Sequence, residues 1–293
     1  WERPCQVPYG KVDPESKPDF VSWLETHVVY VPHAISHVAM AVYTSEFADC
    51  AFLSMDGGGD PGDDRNMIFG QFQDNNFNIF KEARGLLTLG SFHAYISDAI
   101  GVLSDSGKTS GLAAYGKVSD TLYSELRRLV TKDVVGWRFN RKRFAPSPHN
   151  MSKLKVDAYQ RSKVLNSVPS DTNVFRLTRR FLPHTVAATG ERVMQDLVLE
   201  IVHQVKEETN SDRLALSGGL FQNVALNRRI AEADLFKQIH VPMAPSDAGL
   251  SLGQLLFEVH KQREHAPKTT RKMPAYLGPS FSEKEIESLL GEM

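Results

Sequence analysis

Cysteine is almost missing from this chain: 293 residues hold only Cys5 and Cys50. That excludes a disulfide framework and a cysteine-built zinc site. Cys50 opens the apolar run CAFLSM and reads as a buried, reduced thiol. No apolar run approaches the roughly 18 residues a membrane span needs, and no secretory signal is visible. A reducing cytoplasm is the expected setting, with no membrane partner. An excess of either charge is missing too. With 34 basic and 35 acidic residues, nothing draws the chain globally to nucleic acid. The locally basic RFNRKRFAPSP (138–148) reads as a solvated loop near a small anionic ligand. Methionine is missing from the first position, held by Trp1, and PAYLGPSFSEKEIESLLGEM (274–293) reads as the opening of a further unit. Both features predict a piece of a longer protein.

The length suits one two-lobed domain or two smaller ones. The proline-bearing first 25 or so residues read as irregular, and residues 20–30 as a short helix. DCAFLSMDGGGD (49–60) is an apolar strand running into an acidic glycine turn. The two short runs around DNN complete an antiparallel meander. GSFHAYISDAIGVL (90–103) has helical periodicity, SDSGKTSGLAAYG (104–116) reads as a loop, and residues 119–131 as helical. Residues 132–175 read as an insertion or cap. TVAATGERVMQDLVLEIVHQVKEE (185–208) is a long amphipathic helix with Val193, Leu197, Ile201 and Val205 on one face and Gly190 as a soft spot. A strand (RLALSGG), a helix (FQNVALNRRIAEA), a strand (KQIHVPM) and a final helix opened by APSDAG follow. That α-β-α-β-α order predicts parallel strands joined by right-handed crossovers. REHAPKTTRK then reads as a linker.

Chemistry gathers in a few places. His33 and His37 stand four apart in an apolar run, so a helix starting near Pro32 would turn both imidazoles to one point. The alternative is a helix contact in which each ring is merely hydrogen-bonded. Three glycine turns follow strands or open helices: DGGGD (56–60), SGGLFQN (217–223) and SDAG (246–249). Such turns bring backbone N–H groups, here those of Gly57 and Gly58 among them, up to an anion. A hairpin phosphate loop plus a strand–GG–helix loop is the layout of the actin/Hsp70/sugar-kinase fold. There Asp247 could face a cleft beside Asp56. Two imidazoles and two carboxylates suit a divalent transition metal such as Fe(II), Mn(II) or Zn(II), and argue against an oxygen-only Mg²⁺ or Ca²⁺ site.

PHAISHVAMAVYTSEFADCAFLSMDGGGD, SGKTSGLAAYG, LALSGGLFQNVALNRRI and VPMAPSDAGLSLGQLL resemble, in order and spacing, the successive motifs of the O-carbamoyltransferases of nodulation-factor and antibiotic tailoring. The resemblance covers roughly residues 28–262. It implies an α/β, actin/Hsp70-like, Kae1-like domain with mixed sheets flanked by helices. Residues 1–45 would be the remnant of a first lobe, 46–262 the second lobe, and 263–293 a linker and the start of a YrdC-like carboxy-terminal domain, against which this one would pack. It implies an iron-type metal, Fe(II), on His33, His37, Asp56 and Asp247. It implies ATP and carbamoyl-adenylate at Lys108, Gly111, Gly218, Gly219 and Asn223, with Lys108 catalytic. Carbamoyl phosphate would be the donor and a hydroxylated small molecule the acceptor. Pro32 and Ala114 depart from the pattern, which often has histidine and proline there. An amino-terminal hairpin with a Phe-His-Asp-type motif has no counterpart here, so turnover is expected to depend on segments beyond this chain. The tRNA threonylcarbamoyl-transferases and the hydrogenase maturation carbamoyltransferase are alternatives of the same fold, disfavoured by the near-neutral charge and the scarcity of cysteine. A non-catalytic nucleotide-binding module is a third. His93, His184, His203 and His240 match no motif and read as ordinary structural residues.

Overall fold

The run CAFLSM becomes strand β1 (Cys50–Met55), in the middle of a five-stranded sheet and buried along its whole length. The computed structural model describes residues 28–59, 63–84, 88–102, 106–133, 136–139, 180–262, 273–274 and 278–291. β2 (Arg65–Gln73) pairs antiparallel with β1, and β3 (Asn76–Arg84) antiparallel with β2. Asp74 and Asn75 turn the second hairpin in the left-handed region, at φ 50° and 60°. Two such residues make a turn whose twist matches the flanking strands. On the other side of β1, β6 (Arg213–Ser217) and β7 (Gln238–His240) run parallel, giving the order β3-β2-β1-β6-β7. The chain is therefore a mixed α/β unit with the expected meander and parallel extension.

Alternation along β1 explains the layers. Cys50 and Phe52 share a core with Ile68, Phe72 and Ala215 under helix α1 (His33–Thr44). Ala51, Leu53 and Met55 join Met67, Phe69, Leu214 and Leu216 in a larger core on the opposite face. Each large apolar side chain so buried contributes ~1.5–3 kcal/mol. The larger core lies under α5 (Pro183–Thr209), whose Val193, Leu197, Ile201 and Val205 are all buried. Pro183 opens α5 at its first turn, and Asn210, left-handed at φ 49°, closes it. Gly190 is a contact rather than a soft spot: a Cβ there would lie 2.8 Å from Ile96 of α2 (Leu89–Ala99).

Several expectations are corrected. SGKTSGLAAYG is not a loop: Ser106–Ala113 form helix α3, with Thr109 buried and bonded to Ser97 of α2. Packing overrides the weak propensity of a segment with two glycines. Helix α4 stops at Arg127 (Asp120–Arg127), and Val130–Asp133 pairs with Gly136–Phe139 as the hairpin β4–β5. The rest of the 132–175 insertion lies outside the described residues. Residues 28–32 are not helical, as a β-branched run ahead of proline dictates. The rest of the expected 20–30 helix lies outside the described residues, as does the REHAPKTTRK linker. β7 is only three residues long, ending before Pro242. Helix α1 packs on the sheet, sharing a core with Phe52, Ile68 and Ala215. Helices α6 (Val224–Glu232) and α7 (Leu250–Gln262) complete the unit, and Glu283–Gly291 forms an exposed helix, α8. No helix among the described residues is long and apolar enough to cross a membrane.

Candidate metal centre

Every residue of α1 is buried, and two neighbours hold the helix in place. One is α7, which approaches closely because Gly253 has no side chain: a Cβ there would meet the carbonyl oxygen of Ser36 at 2.0 Å. The other is Asp63, whose Oδ2 accepts the N–H of Ala34 at 3.4 Å in the first turn of α1. Pro32, just before the helix, supplies no side-chain cap, so Asp63 is the carboxylate facing the positive end of this helix. Arg65 clamps it in turn through Nε and Nη2, at 2.5 and 3.0 Å.

The imidazoles of His33 and His37 thus face one point, their Nε2 atoms 3.1 Å apart. Asp56, one residue past β1, brings Oδ2 to 2.8 Å from His37 Nε2 and 3.6 Å from His33 Nε2. Asp247 comes from a single 3₁₀ turn (Asp247–Gly249) that opens α7, with Oδ1 at 3.3 and 3.6 Å from the same two nitrogens. Two close contacts set this turn beside Asp56. The N–H of Gly218, at φ 93°, donates to Pro245 O at 2.7 Å, and a Cβ on Gly219 would sit 3.1 Å from Asp56 Oδ1. One ligand atom from each of the four residues lies within 4.8 Å of the others.

Distances and directions disagree here in an informative way. Asp56 Oδ2 is buried and 2.8 Å from an imidazole nitrogen, yet it makes no hydrogen bond of acceptable direction. His37 Nδ1 likewise finds no hydrogen-bond partner among the described residues. The two Nε2 atoms lie within hydrogen-bond reach of each other, and one oxygen of each carboxylate approaches the same point. Four ligands at ~2.1 Å around a tetrahedral ion stand about 3.4 Å apart; the five separations above run from 2.8 to 3.6 Å. The donor set therefore fits a small divalent cation. Burial works to raise the carboxyl of Asp56, but the two imidazoles and the N–H of Gly57 outweigh it and hold the group well below the usual carboxylate range. His33 and His37 are buried, whereas the Asp247 side chain is 70 % exposed, so the cluster is closed on the protein side and open on one.

The remaining sequence candidates fall into two groups. Gly57, Gly218 and Gly219 adjoin the cluster, and Gly58 follows in the same turn. Lys108 and Gly111 lie exposed on α3. Asn223 ends the second glycine turn, but its side chain faces inward: Oδ1 caps α6 at Leu226 N, and Nδ2 donates to Glu191 and Ser110. His93, read as ordinary, is a buried partner of Glu191, 3.0 Å away. A sequence signal for Glu191 existed, because it stands four residues after Ala187 and three before Met194, on the buried stripe of α5. Asp63 and Arg65 had none, being two charges in a charged loop.

Among curated proteins, the chain is 25% identical over 276 residues to protein MJ1058 of Methanocaldococcus jannaschii, covering 88% of this chain and 42% of that one. It is 25% identical over 274 residues to the nodulation protein NolNO of Sinorhizobium fredii, covering 90% of this chain and 36% of the relative. The chain thus spans less than half the length of these relatives. Among solved structures, full-length HypF in its phosphate- and nucleotide-bound form aligns at a TM-score of 0.44 and 13% identity, over 86% of this chain and 46% of HypF. One family pattern, carbamoyltransferase N-terminus, matches residues 19–256 and so runs through all four clustered side chains and all three glycine turns; the chain belongs to that family.

Proposed function

We propose that this chain is the metal- and nucleotide-binding part of an enzyme that moves a carbamoyl group from carbamoyl phosphate, by way of carbamoyl-adenylate made with ATP, to a hydroxyl of a small-molecule acceptor. Membership of a carbamoyltransferase family gives the class of reaction. The observation that carries the rest is the convergence of His33, His37, Asp56 and Asp247 from three separate stretches of chain. In this reading the domain is Kae1-like, of the actin/Hsp70 type. A mixed nitrogen and oxygen set selects Fe(II), Mn(II) or Zn(II) over Mg²⁺. When bound, the cation supplies Lewis-acid stabilisation of phosphate charge.

The chain's own residues have three tasks. His33, His37, Asp56 and Asp247 supply the two nitrogens and two carboxylate oxygens that would hold the cation. Gly57, Gly58 and Gly111 leave backbone open to a ligand: among the described residues, a Cβ at any of them would meet nothing within 4 Å. Lys108, exposed on α3, supplies positive charge where negative charge grows on the leaving phosphate. The base for the acceptor hydroxyl would come from outside this chain, which would pack against a YrdC-like domain of the same protein.

Calorimetry on the full-length protein tests the reading. ATP should bind with Mn(II) or Fe(II) present and at least ~10-fold more weakly with the cation removed. Binding indifferent to the metal would instead fit a nucleotide sensor and contradict the proposal.

A further inference from the structure

Glu191 is 6% exposed on the buried face of α5, where Gln195, one turn on, is a second buried polar side chain among apolar and small ones. A carboxylate there is costly unless its oxygens are met, and they are. Oε1 accepts from Asn223 Nδ2 at 2.5 Å and Gln195 Nε2 at 2.8 Å. Oε2 accepts from Ser110 Oγ at 3.0 Å and lies 3.0 Å from His93 Nε2. These partners come from α5 itself, α3, α2 and the residue that ends the second glycine turn. Asn223 is also spent: its two N–H donors go to Glu191 and to Ser110 Oγ (3.3 Å), and its oxygen accepts Leu226 N at 2.9 Å. The network continues along α5, where Gln195 Oε1 accepts from Arg229 of α6 at 3.1 Å and Asp196 accepts from the same guanidinium at 2.7 Å. Helix α6 is thereby stapled to α5 at its cap and at its middle.

We propose that Glu191 is a positioning residue: by fixing Asn223 and Ser110 together it holds the Gly218–Asn223 turn and helix α3 in one relation. Asn223 acts on the turn's shape rather than as a donor to a ligand. The consequence for ATP rests on the function proposed above; the positioning role does not.

The test is a polarity swap read by amide hydrogen exchange on the folded protein. Glu191→Gln puts an amide where donors need an acceptor, and should raise exchange in residues 218–226 and 106–113 about 10-fold. Adding Asn223→Asp restores an amide–carboxylate bond with the partners reversed and keeps a good cap. The double variant should return both segments to within about 3-fold of wild type. A single variant that leaves both segments unchanged, or a double that does not recover them, overturns the proposal. Ser110→Ala keeps the test alive if Glu191→Gln does not fold: it should loosen 106–113 about 3-fold, and unchanged exchange there overturns the proposal equally. Wild-type protein that binds no ATP with Mn(II) present would sink the nucleotide reading, while the exchange data would still decide the role of Glu191.

Discussion

Asp56 and Glu191 are both carboxylates set beside buried imidazoles, and the fold treats them in opposite ways. Glu191 receives hydrogen bonds from three neutral donors. Asp56 receives one, from Gly57 N to Oδ1, while Oδ2 lies among nitrogens without a bond of good direction. The cluster around Glu191 has both carboxylate oxygens met, though His93 Nε2 beside them makes no hydrogen bond among the described residues, and it serves as a joint. A convergent but unsatisfied one retains its cost unless something else occupies its centre. The difference separates structure from chemistry more sharply than burial or charge does, since both clusters combine buried imidazole with an acid.

That contrast can be broken in order of size. Asp56→Asn keeps the shape and the Oδ1 bond, so the metal-free protein should melt close to wild type while affinity for Mn(II) falls about 100-fold or more, measured by equilibrium dialysis. Glu191→Ala should do the reverse. It strands buried donors on four elements and should cost about 3 kcal/mol or more in urea unfolding, with Mn(II) affinity unchanged.

The acid limb of stability comes next. Interior burial raises Glu191, but His93, Asn223 and Gln195 outweigh it and lower its pKa from 4.5. Burial raises Asp196 likewise, while Arg229 and Tyr123 lower it from 3.8. In that window the unfolded chain binds more protons than the folded one, so stability is full above ~4.5 and is lost as pH falls through the depressed values. Glu191→Gln should flatten that limb, seen as a smaller drop in melting temperature between neutral and acid pH. An equally steep limb would show that the closed cluster is not ionised. Smallest is Gly111→Ala, which should leave the fold alone or stabilise it by ~0.5–1 kcal/mol while weakening ATP binding, because no described residue would meet a Cβ there.

Much of this was readable from residue order. The continuous apolar run of β1, the DNN turn and the long stripe of α5 each obey a single local rule, and the fold follows them. The clustering of His33, His37, Asp56 and Asp247 was also visible, because a helical HxxxH pair and two aspartates at strand or helix ends are positions that local structure defines. Other features required tertiary contact. Helix α3 forms although its sequence argues for a loop, since its packing on α2 and α5 comes from residues distant along the chain. Asp63 and Arg65 gave no signal in the sequence; only the fold brings their ion pair under the start of α1. Asn223 was legible as part of a glycine motif, but the direction of its side chain depends on Glu191, 32 residues earlier.

The central claim is that residues roughly two hundred positions apart hold one cation. Metal analysis of the wild-type protein and of Asp247→Ala after equilibration with Mn(II) tests it most directly. The prediction is one tightly held ion per chain in the wild type and none in the variant. Full occupancy of Asp247→Ala would contradict it.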